Sequence, residues 1–127
     1  MASFILVPDA WCGGWAWKWV TPWLRNAGHE VYPITLTGLG ERSHLAHPNI
    51  DLDTHIQDVI HVIEYEDLNG VVLVGWSYGG NVITGVADRI PERIAQLIYL
   101  DANRPNHNES LADERAGRRL AGSYCDG

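Results

Sequence analysis

The sequence predicts an α/β fold in three layers, with helices on both faces of a central parallel sheet of four strands. Three observations predict it. Four short apolar runs recur along the chain, and segments of helical character separate them, giving the order β-α-β-α-β-α-β. The links between them are short, which favours parallel strands joined by packed helices. The length of 127 residues suits one domain, and a globule of that size buries roughly two-thirds of its unfolded surface, enough for a core of its own.

The first strand is Phe4-Ile5-Leu6-Val7, apolar on both faces and closed by Pro8. Residues 9–14, with Gly13-Gly14, form a loop. Trp15 to Ala27 has helical character and restarts at Thr21-Pro22, with Thr as N-cap and Pro at the first helical position. Gly28 then closes the helix. Val31 to Leu36 reads as the second strand, weakened by Pro33. Residues 37–51 are a loop, and Asp51 or Asp53 caps the helix after it. In that helix Ile56, Val59, Ile60 and Ile63 follow the i, i+3, i+4, i+7 rule and make one apolar stripe, which Asn69-Gly70 ends. Val71 to Val74 is the third strand, Gly75 to Gly80 a turn, and Asn81 to Arg89 a helix with Val82, Ile83, Val86 and Ala87 inward. Ile94 to Leu100 is the fourth strand. From Asn103 the apolar residues thin out, so residues 1–102 read as the core and 103–127 as an irregular tail.

Composition excludes several classes of function. A net charge of −7 argues against nucleic acid, whose phosphates call for Lys and Arg, and against anionic membranes. No apolar run approaches the roughly 20 residues of a membrane span. Met1-Ala2-Ser3-Phe4 has no basic stretch and the apolar run stops at Pro8, unlike a signal peptide, so a cytoplasmic location is expected. Cys12 and Cys125 are far apart and are expected as two free thiols. The six histidines show no ligand spacing, so no metal is expected. Five of the six Trp fall between Trp11 and Trp23, a cluster expected in the core or in a pocket wall.

Chemistry concentrates at Gly75-Trp76-Ser77-Tyr78-Gly79. The G-x-S-x-G pattern is weak alone, but here it follows a buried strand and opens a helix, the setting of a nucleophile elbow. A serine on such a turn projects its hydroxyl, the small flanking residues let strand and helix approach, and the helix N-terminus favours an oxyanion. Ser77 is therefore the candidate nucleophile. The N–H of Tyr78, the residue after it, is one candidate oxyanion donor, and the other belongs to the loop of residues 9–14.

The combination of Val7-Pro8-Asp9-Ala10-Trp11-Cys12-Gly13-Gly14-Trp15, Ala27-Gly28-His29, Thr37-Gly38-Leu39-Gly40-Glu41-Arg42-Ser43 and Gly75-Trp76-Ser77-Tyr78-Gly79-Gly80 resembles bacterial esterases related to the plant methylesterase and hydroxynitrile lyase group of α/β-hydrolases. The resemblance runs from about Phe4 to Ala102. It implies a truncated α/β-hydrolase fold with four of the usual core strands. It also implies Ser77 as nucleophile, Ala10 and Tyr78 as oxyanion donors, and Trp11 and Trp76 beside the pocket. The implied activity is cleavage of small esters without metal or cofactor, or of cyanohydrins in some members. Residues 103–127 would then begin a cap. Where this chain has Asp9 the family commonly has Gly, and a carboxylate pointing toward a developing oxyanion is unfavourable. Trp76 stands where His is frequent. Family members are longer, and their acid and His follow in chain order after Ser; no residue of this chain matches either position.

Within the chain, Asp101 ends the fourth strand and reads as a turn residue, and His107 is the one His after the elbow. A serine without a base is a poor nucleophile. The competing expectation is thus a catalytically inactive fold that binds a small ligand or a partner chain. The edge of the fourth strand also invites pairing with a second copy.

Overall fold

The computed structural model describes residues 1–101. Seven regular elements follow the expected order: β1 (Ser3–Val7), α1 (Thr21–Asn26), β2 (Glu30–Pro33), α2 (Leu52–Tyr65), β3 (Val71–Trp76), α3 (Gly79–Arg89) and β4 (Ile94–Leu100). The strands are all parallel, in the order β2-β1-β3-β4. The expected tail, residues 103–127, and with it His107, lies outside the described residues.

Alternation along each strand divides the core between the two faces of the sheet. Ile5, Val7, Val71 and Leu73 join α2 and α3 residues such as Val59, Ile63, Ile83 and Val86 on one face. Leu6, Val72 and Val74 meet Trp17 and Leu24 on the other. Burying alternate residues against different helices is what a parallel sheet with both faces covered requires. In β4 the alternation changes phase, because Val71 pairs with Ile94 while Val72 pairs with Gln96. The extra residue, Ala95, puts Ile94, Leu97 and Tyr99 on one face although their numbers differ in parity.

Three expectations need correction. Thr21 does not cap α1: its hydroxyl donates to the Trp17 carbonyl (2.9 Å), and the cap position falls on Val20. β2 ends at Pro33 rather than Leu36, although Ile34 and Leu36 are still buried in the core beyond it. The Trp cluster is mostly outside. Trp17 is buried, while Trp19 is 80% and Trp23 72% exposed. Positions 17, 21 and 24 face the sheet, so 19 and 23 face away. Gly28 does close α1, at φ 90°, with the paired hydrogen bonds His29 N–H to Leu24 (3.3 Å) and Gly28 N–H to Arg25 (3.0 Å). Among the described residues no helix is long and apolar enough to cross a membrane.

Candidate functional site

The strand order reverses direction at β1: the chain goes to β2 on one side and returns to β3 on the other. Ligands of open α/β sheets bind beyond the carboxyl ends of the strands at such a switch point. Val7 at the end of β1 pairs with Gly75 near the end of β3. The 9–14 loop and the 75–80 turn therefore emerge side by side.

Ser77 occupies the β3–α3 turn at φ 57°, the left-handed region that non-glycine residues avoid. The surroundings hold it there. The Ser77 N–H donates to the Leu100 carbonyl of β4 (3.2 Å), and the Ser77 carbonyl accepts from the Gly80 N–H (3.0 Å). The turn is as tight as backbone allows. A Cβ on Gly75 would lie 2.6 Å from the Gly79 carbonyl oxygen, and one on Gly79 would lie 2.4 Å from that of Val7. Gly79 thereby seats the start of α3 directly on the chain that leads into Asp9 and Ala10.

Tyr78 is the residue before the first turn of α3, where backbone N–H groups have no intrahelical acceptor. Its ring is buried, and its hydroxyl lies 2.8 Å from Nδ1 of His55 on α2. His55 Nε2 lies 3.0 Å from the Thr37 carbonyl. A carbonyl only accepts, so Nε2 carries the proton and Nδ1 accepts from the Tyr78 O–H. Thr37 is pinned in turn by Asp58, which accepts from its N–H and its hydroxyl, both at 2.7 Å.

A second set of bonds fixes the loop of residues 9–14. Gly14 N–H donates to the Thr35 hydroxyl (2.7 Å), which donates to Glu41 (2.7 Å), while Arg42 donates to the Thr35 carbonyl (2.9 Å). Gly40, at φ 51°, lies so close to the loop that a Cβ there would be 2.9 Å from the Gly13 Cα. Ala10 lines a cleft together with Trp11, Trp15, Leu39, Glu41 and Ser43. Its N–H donates to the Asp9 carboxylate (2.7 Å). Asp9 is fully buried and is not at positive φ, so this position does not demand glycine.

Of the expected residues, Ser77, Tyr78 and Ala10 stand at neighbouring strand ends and Trp11 lines the cleft. Trp76 turns to the opposite face and meets Trp17 edge-on at 6.5 Å. Asp101 follows β4 in a strained turn at φ 44°. Cys12 is buried and is not a free thiol, which corrects that expectation; Cys125 lies outside the described residues. Among the described residues no cluster of three His, Cys, Asp or Glu could hold a metal ion. The sequence reading missed His55, Thr37 and Asp58, and the parts of Thr35 and Glu41. His55 carried a signal, since it precedes Ile56 and stands one turn before Val59 at the edge of the buried stripe of α2.

A strained serine between strand and helix, at the switch point of a parallel sheet, fits the α/β-hydrolases, and the chain belongs to the alpha/beta hydrolase family, whose model matches residues 4–124. The chain is 55% identical over 111 residues to the carbendazim hydrolyzing esterase of Nocardioides sp. strain SG-4G, covering 87% of this chain and 46% of that protein. It is 33% identical over 104 residues to the alpha-hydroxynitrile lyase of Arabidopsis thaliana, covering 81% of this chain and 40% of the lyase. The solved structure of an extracellular alpha/beta-hydrolase from a Paenibacillus species superposes with a TM-score of 0.81 at 27% identity, over 98% of this chain and 52% of that one. The chain thus spans about half the length of the relatives it matches.

Proposed function

We propose that this chain carries the nucleophile half of a serine esterase acting on small carboxylic esters. The observation that carries this reading is Ser77 held at φ 57° between β3 and α3. In the proposed reaction the Ser77 Oγ attacks the ester carbonyl, and the oxyanion is received by the N–H groups of Tyr78 and Ala10. The alcohol leaves, and water releases the acyl group from Ser77. Each acyl transfer needs a proton acceptor. His55 does not supply it, because both ring nitrogens are engaged by Tyr78 and Thr37. This reading assigns the base and its acid to residues outside those described. The name of the first relative, an esterase, supports an ester substrate.

The reading is tested by intact mass after incubation with a fluorophosphonate. We expect a single adduct on the native chain and none on Ser77→Ala. No adduct on a folded native chain favours the second reading, a non-catalytic binding module. Ala10 supports that alternative, since its N–H already has an acceptor.

A further inference from the structure

The oxyanion loop contains a charged group that the proposed reaction does not use. Asp9 lies two residues beyond the end of β1 and is fully buried. It is held by more than its side chain, because its carbonyl accepts the Cys12 N–H (3.1 Å) and closes a turn over residues 9–12. Its Oδ1 takes the Ala10 N–H at 2.7 Å. That N–H has a single proton to offer. A substrate oxygen that reaches Ala10 must displace the carboxylate or share the proton with it. If it develops negative charge there, it does so beside a like charge.

We propose that Asp9 is a selectivity residue of this site: its carboxylate holds the Ala10 N–H and closes the hole to anions until that carboxylate is displaced. The inference rests on the reading of Ala10 and Tyr78 as the oxyanion hole. A loop built in this way, with Gly14 held by Thr35 and Thr35 by Glu41, carries Asp9 without backbone strain. The adaptation lies in charge rather than in conformation.

The test separates the hole from the chemistry. In full-length chains carrying Ser77→Ala, where no adduct forms, phenylphosphonate serves as a non-covalent oxyanion mimic and its dissociation constant is measured calorimetrically. With Asp9→Ala added we expect binding at least about tenfold tighter, in line with the 10²–10³ in rate that one oxyanion donor supplies elsewhere. Asp9→Asn keeps an acceptor oxygen and nearly the same shape without the charge. It should fall between the two, and it decides the matter if the alanine chain does not fold. Equal affinity with and without the Asp9 charge, or no binding in any chain, overturns the proposal. Fluorophosphonate labelling of chains that retain Ser77 reports separately on the nucleophile. Absence of labelling with either Asp9 or Ala at this position refutes the esterase reading, while the phosphonate affinities still decide the role of Asp9.

Discussion

Tyr78 has two jobs at one position. Its backbone begins α3 beside Ser77, and its side chain reaches His55 on a different helix. The hydroxyl is what distinguishes it from a plain core aromatic. Tyr78→Phe keeps the ring in its site and removes the 2.8 Å bond to His55. Buried bonds of this kind contribute about 1–3 kcal/mol when one partner is deleted. Urea unfolding of the Phe chain should show a loss of that size, and a loss below about 0.5 kcal/mol would mean that the bond does not hold the elbow. The elbow's serine was legible in the sequence because strand, motif and helix are contiguous. The His55–Tyr78 bond was not, because its partners are 23 residues apart and no local period links them. The same holds for Thr37 and Asp58, 21 residues apart.

At the scale of the element, close approach decides what the turn tolerates. Gly79 meets backbone, not a side chain that can move, so a methyl group there must push α3 off β1. Gly79→Ala is expected to destabilise the chain by about 1–3 kcal/mol or more, read as a lowered melting temperature. A chain that melts with the native one would show that α3 can shift freely. Helix α2 allows a prediction in pH. Asp51 caps it: the carboxylate accepts the Thr54 N–H (3.1 Å), and Thr54 returns a bond to the Asp51 N–H. Chiefly that backbone bond holds the carboxyl below its ordinary value of 3.8. Because the folded pKa is depressed, the cap's contribution is fully present above the ordinary value and fades as the pH falls through the folded one. Asp51→Ala should be less stable than the native chain at neutral pH, and the gap should close in strong acid. A gap that stays constant down the acid range would show that the carboxylate charge is not what caps α2. The apolar stripe of α2 was legible from its period. The start of α1 was not, because Thr21 turns its hydroxyl back to Trp17, and the phase change in β4 was not, because a bulge exists only relative to the neighbouring strand.

Across the described residues, strand order alone brings the 9–14 loop and the 75–80 turn side by side, and it leaves β4 at the margin of the described sheet. Edge strands are usually defended by charge, proline or short length. Ile94–Leu100 runs seven residues without a charged or proline side chain, and Leu100 is exposed. One further strand beside it would satisfy its outer backbone groups, and a second copy of the chain can supply one. Opposing this, each copy carries a net charge of −7, and that repulsion is screened as salt rises, the Debye length falling to about 3 Å at 1 M. We therefore expect light scattering behind gel filtration to show a dimer whose share grows with protein concentration and with salt. Gln96 is exposed in β4, and Gln96→Lys, a charge of the kind that blunts natural edges, should return the chain to monomer without lowering its melting temperature. A native chain that is monomeric at every concentration and salt would show that this edge is closed by something other than a second copy. A dimer indifferent to Gln96→Lys would place the contact elsewhere, with the outward-facing Trp19 and Trp23 the next surface to substitute.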